Sequence, residues 1–101
     1  MKIELKKFGT TLISRQTGKE ALAAFAPNLV NIDINQKIEI DFSGVVTFSP
    51  SWGDEFLSPL LRNYGDNVFL SHTENPSVVA TLKILEQVNG RGFTVTDSES
   101  H

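Results

Sequence analysis

The chain contains no cysteine. This absence excludes disulfide bonds, a thiolate nucleophile and zinc sites built on sulfur. Histidine is nearly as scarce, because the chain has only His72 and His101, and His101 is the final residue. A histidine-based metal site or catalytic triad is therefore hard to assemble, and we expect no catalytic residue, no metal ligand and no cofactor.

Long apolar runs and concentrated basic segments are also missing. Residues 1–8 lack the apolar run of a signal peptide, and no stretch approaches the roughly 20 apolar residues of a membrane span. The net charge is −3, with basic and acidic residues interspersed along the chain. Binding to nucleic acid requires a concentrated basic surface instead. We therefore expect a cytoplasmic protein that binds neither nucleic acid nor a membrane.

The residues that are present suffice for one small domain. The chain has 101 residues, of which 40% are hydrophobic, and seven of these are phenylalanine. A chain of this length is expected to form one domain with one modest core. We assign residues 1–96 to that domain and residues 97–101 to a polar tail.

Strand and helix patterns alternate along the second half of the chain. Residues 2–8 and 11–14 predict an N-terminal hairpin, and a helix follows that starts at the capping-box pair Thr17 and Glu20. Apolar and polar residues alternate in 37–42, which predicts a strand with one buried face. The remaining patterns predict two strands and two helices, at residues 51–65, 68–70, 76–89 and 93–96. Together they indicate an α/β fold with about three helices and a mixed sheet of four to five strands.

Ser51 occupies the most informative position in the sequence. It stands where the N-cap of the helix after the central strand is expected, with Asp54 three residues further and Glu55 next to it. A hydroxyl at such a helix start is a natural place to bind or carry a phosphate. The same pattern describes any well-capped helix, so the sequence leaves both interpretations open.

Trp52 follows Ser51 and is the only tryptophan of the chain. It is a candidate anchor for a protein partner, because tryptophan is enriched in binding hot spots. Burial is the favoured alternative, since Trp52 shares a helical stripe with Phe56 and Leu60.

Three acidic residues and one arginine complete the set of candidate site residues. Asp41, Asp54 and Glu55 would form a magnesium or acid/base site if they converged. The alternative for Asp54 and Glu55 is that the helix dipole favours acids in the first turn. For Arg15 we expect an ion pair with Asp41 or another buried carboxylate.

Short motifs in a fixed order give the chain a family resemblance. They are Phe8-Gly9, Ser14-Arg15, the segment Ile40-Asp41-Phe42-Ser43-Gly44-Val45, and Ser51-Trp52-Gly53-Asp54-Glu55. This pattern over roughly residues 2–90 resembles the STAS-like family of small bacterial proteins, which is related in fold to the anti-sigma-factor antagonists.

The resemblance implies a regulatory role. In those antagonists, the serine at the head of the corresponding helix is phosphorylated by the kinase that also acts as anti-sigma factor. Ser51 is the matching phosphoacceptor, and Ser49 is the less favoured candidate. The resemblance also implies a docking surface of Ser51, Trp52, Asp54 and Glu55 for a histidine-kinase-like ATPase or anti-sigma-type protein. The antagonist pattern has Asp-Ser followed closely by Gly-Leu, whereas this chain has Ser49-Pro50-Ser51-Trp52-Gly53-Asp54. Asp54 and Glu55 would also repel an added phosphate.

Three hypotheses for the function follow. The leading one is a non-enzymatic regulatory module that docks a partner through the helix start at Ser51, under possible control by phosphorylation. The second is a small acid/base or metal-dependent enzyme that uses Asp41 with Asp54 or Glu55. The third is a structural homodimer subunit, paired through the N-terminal edge strand or through the helix that starts at Ser51.

Overall fold

The computed structural model describes residues 1–33 and 35–96; the polar tail predicted for residues 97–101 lies outside them. The helices are α1 (Arg15–Phe25), α2 (Pro50–Tyr64) and α3 (Pro76–Asn89). Short 3-10 turns occupy Leu5–Phe8, Ala26–Leu29 and Gly65–Asn67. The strands are β1 (Lys2–Glu4), β2 (Thr11–Leu12), β3 (Ile38–Asp41), β4 (Thr47–Phe48), β5 (Val68–Ser71) and β6 (Thr94–Thr96). None of the described helices is long and apolar enough to cross a membrane.

The strands form two parallel ladders. Four of them make the main sheet in the order β1-β3-β5-β6, while β2 pairs with β4 in a separate ladder of two strands. The predicted α/β fold with three helices is confirmed, but the predicted N-terminal hairpin is wrong. The 3-10 turn Leu5–Phe8 interrupts the alternation after β1 and buries Leu5 completely. The chain therefore leaves the edge of the sheet, and β2 meets β4 instead of β1.

The helices pack on one face of the main sheet. Each step from β1 to β3, β5 and β6 moves in the same direction across the sheet, and right-handed crossovers then place all connecting helices on the same side. Ile3, Ile40 and Leu70 lie in one row on that side and are buried. The neighbouring row points to the opposite side and is exposed or half-buried; it contains Lys2, Glu39, Phe69 and Thr94.

Helix α2 is the centre of the helical layer, because it packs against both α1 and α3. It continues through Pro59 as one helix. Aromatic ring contacts run along its buried side from Phe8 through Phe56 and Trp52 to Phe48. These rings fix the position of α2 relative to the β2–β4 ladder, where the helix starts.

Candidate functional site

The β2–β4 ladder brings the starts of α1 and α2 together. Ser14 follows β2 and caps α1, with its Oγ accepting a hydrogen bond of 3.1 Å from the Thr17 N–H. Ser49 follows β4 and caps α2, with its Oγ accepting a hydrogen bond of 3.2 Å from the Trp52 N–H. The Ser49 hydroxyl also donates to the carbonyl oxygen of Ile13 at 2.6 Å. Ser49 thus caps α2 and also connects α2 to Ile13, the residue that precedes the cap of α1.

The start of α3 packs against the other side of β4. Asn75 caps α3 and donates from its amide to the carbonyl oxygen of Val45 at 2.8 Å. The Phe48 N–H donates to the Ser77 hydroxyl at 2.9 Å, and the Phe48 carbonyl oxygen accepts a hydrogen bond of 2.5 Å from Thr81. The backbone of this two-residue strand is therefore satisfied on both sides.

Ser51 is not the N-cap of α2. Pro50 occupies the first helical position, where its fixed φ fits and its missing N–H costs nothing, so the cap falls on Ser49. Ser51 lies within the first turn and is half-buried. The capping box predicted for Thr17 and Glu20 is likewise displaced, because the cap of α1 is Ser14.

Arg15 joins α1 to α2 through two carboxylates. Its Nη1 lies 3.0 Å from Asp54 Oδ2 and 2.7 Å from Glu55 Oε2. The hydrogen bond from Arg15 holds the pKa of Asp54 below its usual value against the opposing effect of burial, with a further hydrogen bond from Ser58. The Arg15 side chain remains about half exposed, at 53%. Of the two partners predicted for Arg15, Asp41 is not the one observed. Arg15 pairs instead with other, partly buried carboxylates, because it begins the helix that lies beside α2.

A chain of side-chain hydrogen bonds extends from this cluster through the helical layer. Ser58 is fully buried on α2 and donates to Asp54 Oδ1 at 2.9 Å. Asn89, at the end of α3, donates to Ser58 Oγ at 2.9 Å. The contacts therefore connect the surface at Arg15 with the end of α3. We did not identify Ser58 and Asn89 from the sequence, although the spacing of four residues between Asp54 and Ser58 is a signal for a helical pair.

Asp41 has a separate set of partners. It accepts hydrogen bonds from the Ser43 N–H at 3.0 Å and the Ser43 hydroxyl at 2.8 Å, and Lys2 Nζ lies 3.6 Å from it. Burial alone would raise the pKa of Asp41, but the hydrogen bonds from Ser43, the charge of Lys2 and a weaker hydrogen bond from Ser71 together lower it.

The structure does not bring Asp41 together with Asp54 and Glu55, so the acid/base or metal site that required their convergence is not formed. Asp41 ends a strand of the main sheet, and its partner Lys2 belongs to the row of side chains that points away from the helices. Asp54 and Glu55 lie on α2, which packs on the helical side. Within the ranges that the structure describes, no three His, Asp or Glu residues are grouped closely enough to hold a metal ion.

Trp52 is buried, with 1% of its surface exposed. Its ring stacks on Phe56 at a centroid distance of 5.0 Å and meets Phe48 at 5.9 Å. The side chain predicted as a docking anchor is therefore part of the core, and its favoured alternative, burial, is confirmed. Of the predicted docking residues, Ser51, Asp54 and Glu55 remain partly accessible.

Comparison with known families agrees with the fold. A parallel sheet with three crossover helices on one face defines an α/β domain. A family model described as the STAS-like domain of unknown function (DUF4325) matches residues 18–74, which is more than half of the chain. The chain belongs to this family, and a STAS-like domain indicates a regulatory or interaction module in general. Neither the curated proteins nor the solved structures contain a significant match to the chain.

Proposed function

We propose that the chain is a non-enzymatic regulatory module that docks a protein partner at the start of α2. The docking surface consists of Arg15, Ser51, Asp54 and Glu55. The observation that carries the proposal is the half-exposed side chain of Arg15, whose guanidinium is held by two carboxylates of α2 close to the half-buried Ser51. The family resemblance favours a histidine-kinase-like ATPase or an anti-sigma-type protein as the partner.

Phosphorylation of Ser51 would change the charges of the docking surface. On a helix, Ser51 lies beside the residues three and four positions further, which are Asp54 and Glu55. A phosphate adds roughly −1.5 to −2 charges and three acceptor oxygens. It would repel both carboxylates and compete with them for Arg15, while the positive end of the helix dipole would favour it. A partner that recognises the paired charges of the unmodified surface would then be rejected.

Ser49 is the less suitable phosphoacceptor. Its hydroxyl caps α2 and is bonded to the carbonyl oxygen of Ile13. A phosphate on Ser49 would replace this hydroxyl donor by an acceptor and break the link between the two helix starts. Modification of Ser51 leaves that link in place, which supports Ser51 as the regulated residue.

The test is capture of a partner from the source cell with immobilised wild-type protein, Ser51→Asp and Glu55→Arg. We expect that the wild type captures one protein and that both variants lose it. The matched control is Gln87→Glu, which adds one negative charge at an exposed position of α3 and should capture the partner as the wild type does. Equal capture by the wild type and Ser51→Asp would contradict control through this serine. Capture by Glu55→Arg at the wild-type level would place the docking surface elsewhere.

Phosphorylation is tested separately by incubating the protein with the captured partner and ATP. Mass spectrometry should then locate a phosphate on Ser51 in the wild type and none in Ser51→Ala. A phosphate on another residue, or none, would reject the switch while leaving the docking proposal intact.

A further inference from the structure

Strand β6 lies at the edge of the main sheet opposite to β1, and β5 is its only neighbour among the described strands. Its sequence, Thr94-Val95-Thr96, consists of β-branched residues and contains no charge. Native edge strands often carry charged residues or proline, which prevent them from pairing with another chain. β1 fits this rule, because it carries Lys2 and Glu4 and continues into a 3-10 turn. The sequence of β6 has no such protection.

The helical layer ends before it covers β6. Val95 lies beside Leu70 across the β5–β6 ladder, in the row of side chains that points toward the helices. Leu70 is completely buried, whereas Val95 is 53% exposed. An apolar side chain on the core side of the sheet is therefore left in contact with water at this edge, and covering it would be favourable.

A groove of about 260 Å³ lies beside Val95. Its apolar lining comes from the sheet and from α3, and consists of Val79, Leu82, Phe93 and Val95. Two charged residues of α3, Lys83 and Glu86, line it as well. A chain that pairs with β6 would therefore also contact this side of α3.

The two charges of this groove lie at different heights along β6. Glu86 is level with the start of the strand, because its Oε2 accepts a hydrogen bond of 2.9 Å from the Phe93 N–H. Helix α3 runs antiparallel to β6, so Lys83, three residues earlier in the helix, lies about 4.5 Å further along the strand. Among residues 1–33 and 35–96, Lys83 forms no ion pair, and Glu86 Oε1 accepts no hydrogen bond. Both groups can therefore take a partner from outside the chain.

We propose that β6 and the adjoining side of α3 form a homodimer interface, in which β6 pairs antiparallel with β6 of a second copy of this chain. The two-fold axis passes beside Val95 at right angles to the sheet, so both helical layers lie on the same side and each Val95 covers the other. The same rotation reverses the order of the two charges and brings each Lys83 level with Glu86 of the second copy. A second copy is the occupant that the charges favour, because one surface supplies both members of each pair. This interface is distinct from the proposed docking surface on α2.

Cross-linking tests the position of the axis. The chain contains no cysteine, so Val95→Cys introduces a single thiol. Residues that face each other in an antiparallel pair have Cα atoms about 4.5–5.5 Å apart, which is within the reach of a disulfide bond. Mild oxidation should therefore link Val95→Cys into a covalent dimer. The matched control is Val88→Cys, which is 64% exposed but does not line the groove, and it should remain largely monomeric. Equal cross-linking of the two variants, or none, would overturn the proposal.

Sedimentation of the wild type, Lys83→Glu and Glu86→Lys at micromolar to millimolar concentrations tests the charges. The wild type should form a dimer as its concentration rises. Each single variant places like charges opposite each other twice, which should weaken the dimer about tenfold. An equimolar mixture of the two variants should associate again, because one copy then supplies two acidic side chains and the other supplies two basic ones.

Gln87→Glu is the matched control, because it adds a negative charge to α3 outside the groove and should leave the dimer unchanged. Circular dichroism confirms that the variants are folded. If Glu86→Lys does not fold, Lys83→Glu carries the test alone, since it keeps the hydrogen bond between Glu86 and Phe93. A wild type that stays monomeric throughout would overturn the proposal and leave this edge to a strand of a different protein. A dimer that Lys83→Glu does not weaken would overturn it as well.

Discussion

Gly18 of α1 lies against the backbone of Trp52 of α2. A Cβ atom on Gly18 would stand 3.0 Å from the Trp52 Cα and 2.7 Å from its carbonyl oxygen, and the second distance is shorter than real Cβ atoms show. The two helices therefore approach each other as closely as their main chains allow, directly beside the proposed docking surface.

Gly18→Ala should destabilise the protein by about 1–3 kcal/mol, because the backbone of α2 has to move away from the added methyl group. Helix propensity acts in the opposite direction, since alanine is favoured over glycine by about 1 kcal/mol within a helix. The sign of the change in unfolding free energy, measured by urea denaturation, separates the two effects. A stabilised variant would show that the helices are not in close contact at Gly18.

Alanine substitutions of the two serines near the start of α2 should lower the stability of the protein by different amounts. Ser49→Ala removes the helix cap and the hydrogen bond to Ile13, and we expect a loss of about 1–2 kcal/mol. Ser51→Ala lies one position inside the helix and should change stability by less than about 0.5 kcal/mol. Chemical denaturation of the two variants side by side gives the comparison. A larger loss of stability for Ser51→Ala than for Ser49→Ala would indicate that Ser51 is the N-cap, as the sequence predicted.

Ser58 should be coupled energetically to Asn89. Ser58→Ala leaves Asp54 and Asn89 without a common buried partner, and we expect a loss of about 1–3 kcal/mol. In a double-mutant cycle with Asn89→Ala, the loss of unfolding free energy in the double variant should differ from the sum of the two single losses by about 0.5 kcal/mol or more. Additive losses would mean that this hydrogen bond does not connect α2 with α3 in solution.

The titration of Asp54 should depend on Arg15. The structure lowers the pKa of Asp54 from its ordinary value of 3.8, chiefly through the hydrogen bond from Arg15. Arg15→Gln should therefore raise this pKa, as followed by NMR of the carboxyl carbon. The pKa of Asp41 should stay the same, because Ser43, Lys2 and Ser71 lower it instead. Equal movement of both carboxyl groups would indicate a general change in the fold.

The same pKa shift predicts how stability depends on pH. A carboxyl group with a lowered pKa in the folded state stabilises the protein above the unfolded pKa of 3.8 and loses this effect as the pH falls through the folded value. As the pH falls below 3.8, the free energy of unfolding should therefore decrease more steeply for the wild type than for Arg15→Gln. Thermal unfolding of both proteins at a series of acidic pH values measures the difference, and parallel curves would contradict it.

Features that depend on residues close together in the sequence were predicted better than contacts between residues that lie far apart along the chain. Ile38 and Ile40 mark β3 by simple alternation, and both are buried. The N-terminal hairpin failed because the partner of a short strand is decided by the packing of the whole sheet. Phe69 has the apolar character of a core residue, yet its register places it on the other side, with the Lys37 ammonium 5.2 Å above its ring.

The candidate site shows the same limit. Asp54 and Glu55 could be located near the start of α2 from the sequence, although they lie beyond its first turn. Their partner Arg15 could not be located, because that contact requires α1 and α2 to start side by side. The cap predicted at Ser51 lies two residues too far along the chain, because Pro50 is the first helical residue and the cap falls on Ser49. Trp52 has the chemistry of a docking anchor, and only the packing of Phe48 and Phe56 around it shows that it is buried.

The ladder of β2 and β4 has a consequence for how recognition depends on folding. Its members are far apart along the chain, as shown by the separation of 36 residues between Ile13 and Ser49. Closing so long a loop costs conformational entropy that only the assembled sheet and core repay. Arg15 meets its two carboxylates only after that loop has closed. A peptide that spans α2 alone lacks Arg15 and therefore cannot replace the domain. A partner that docks as proposed would bind the folded chain and not a chain that is still folding.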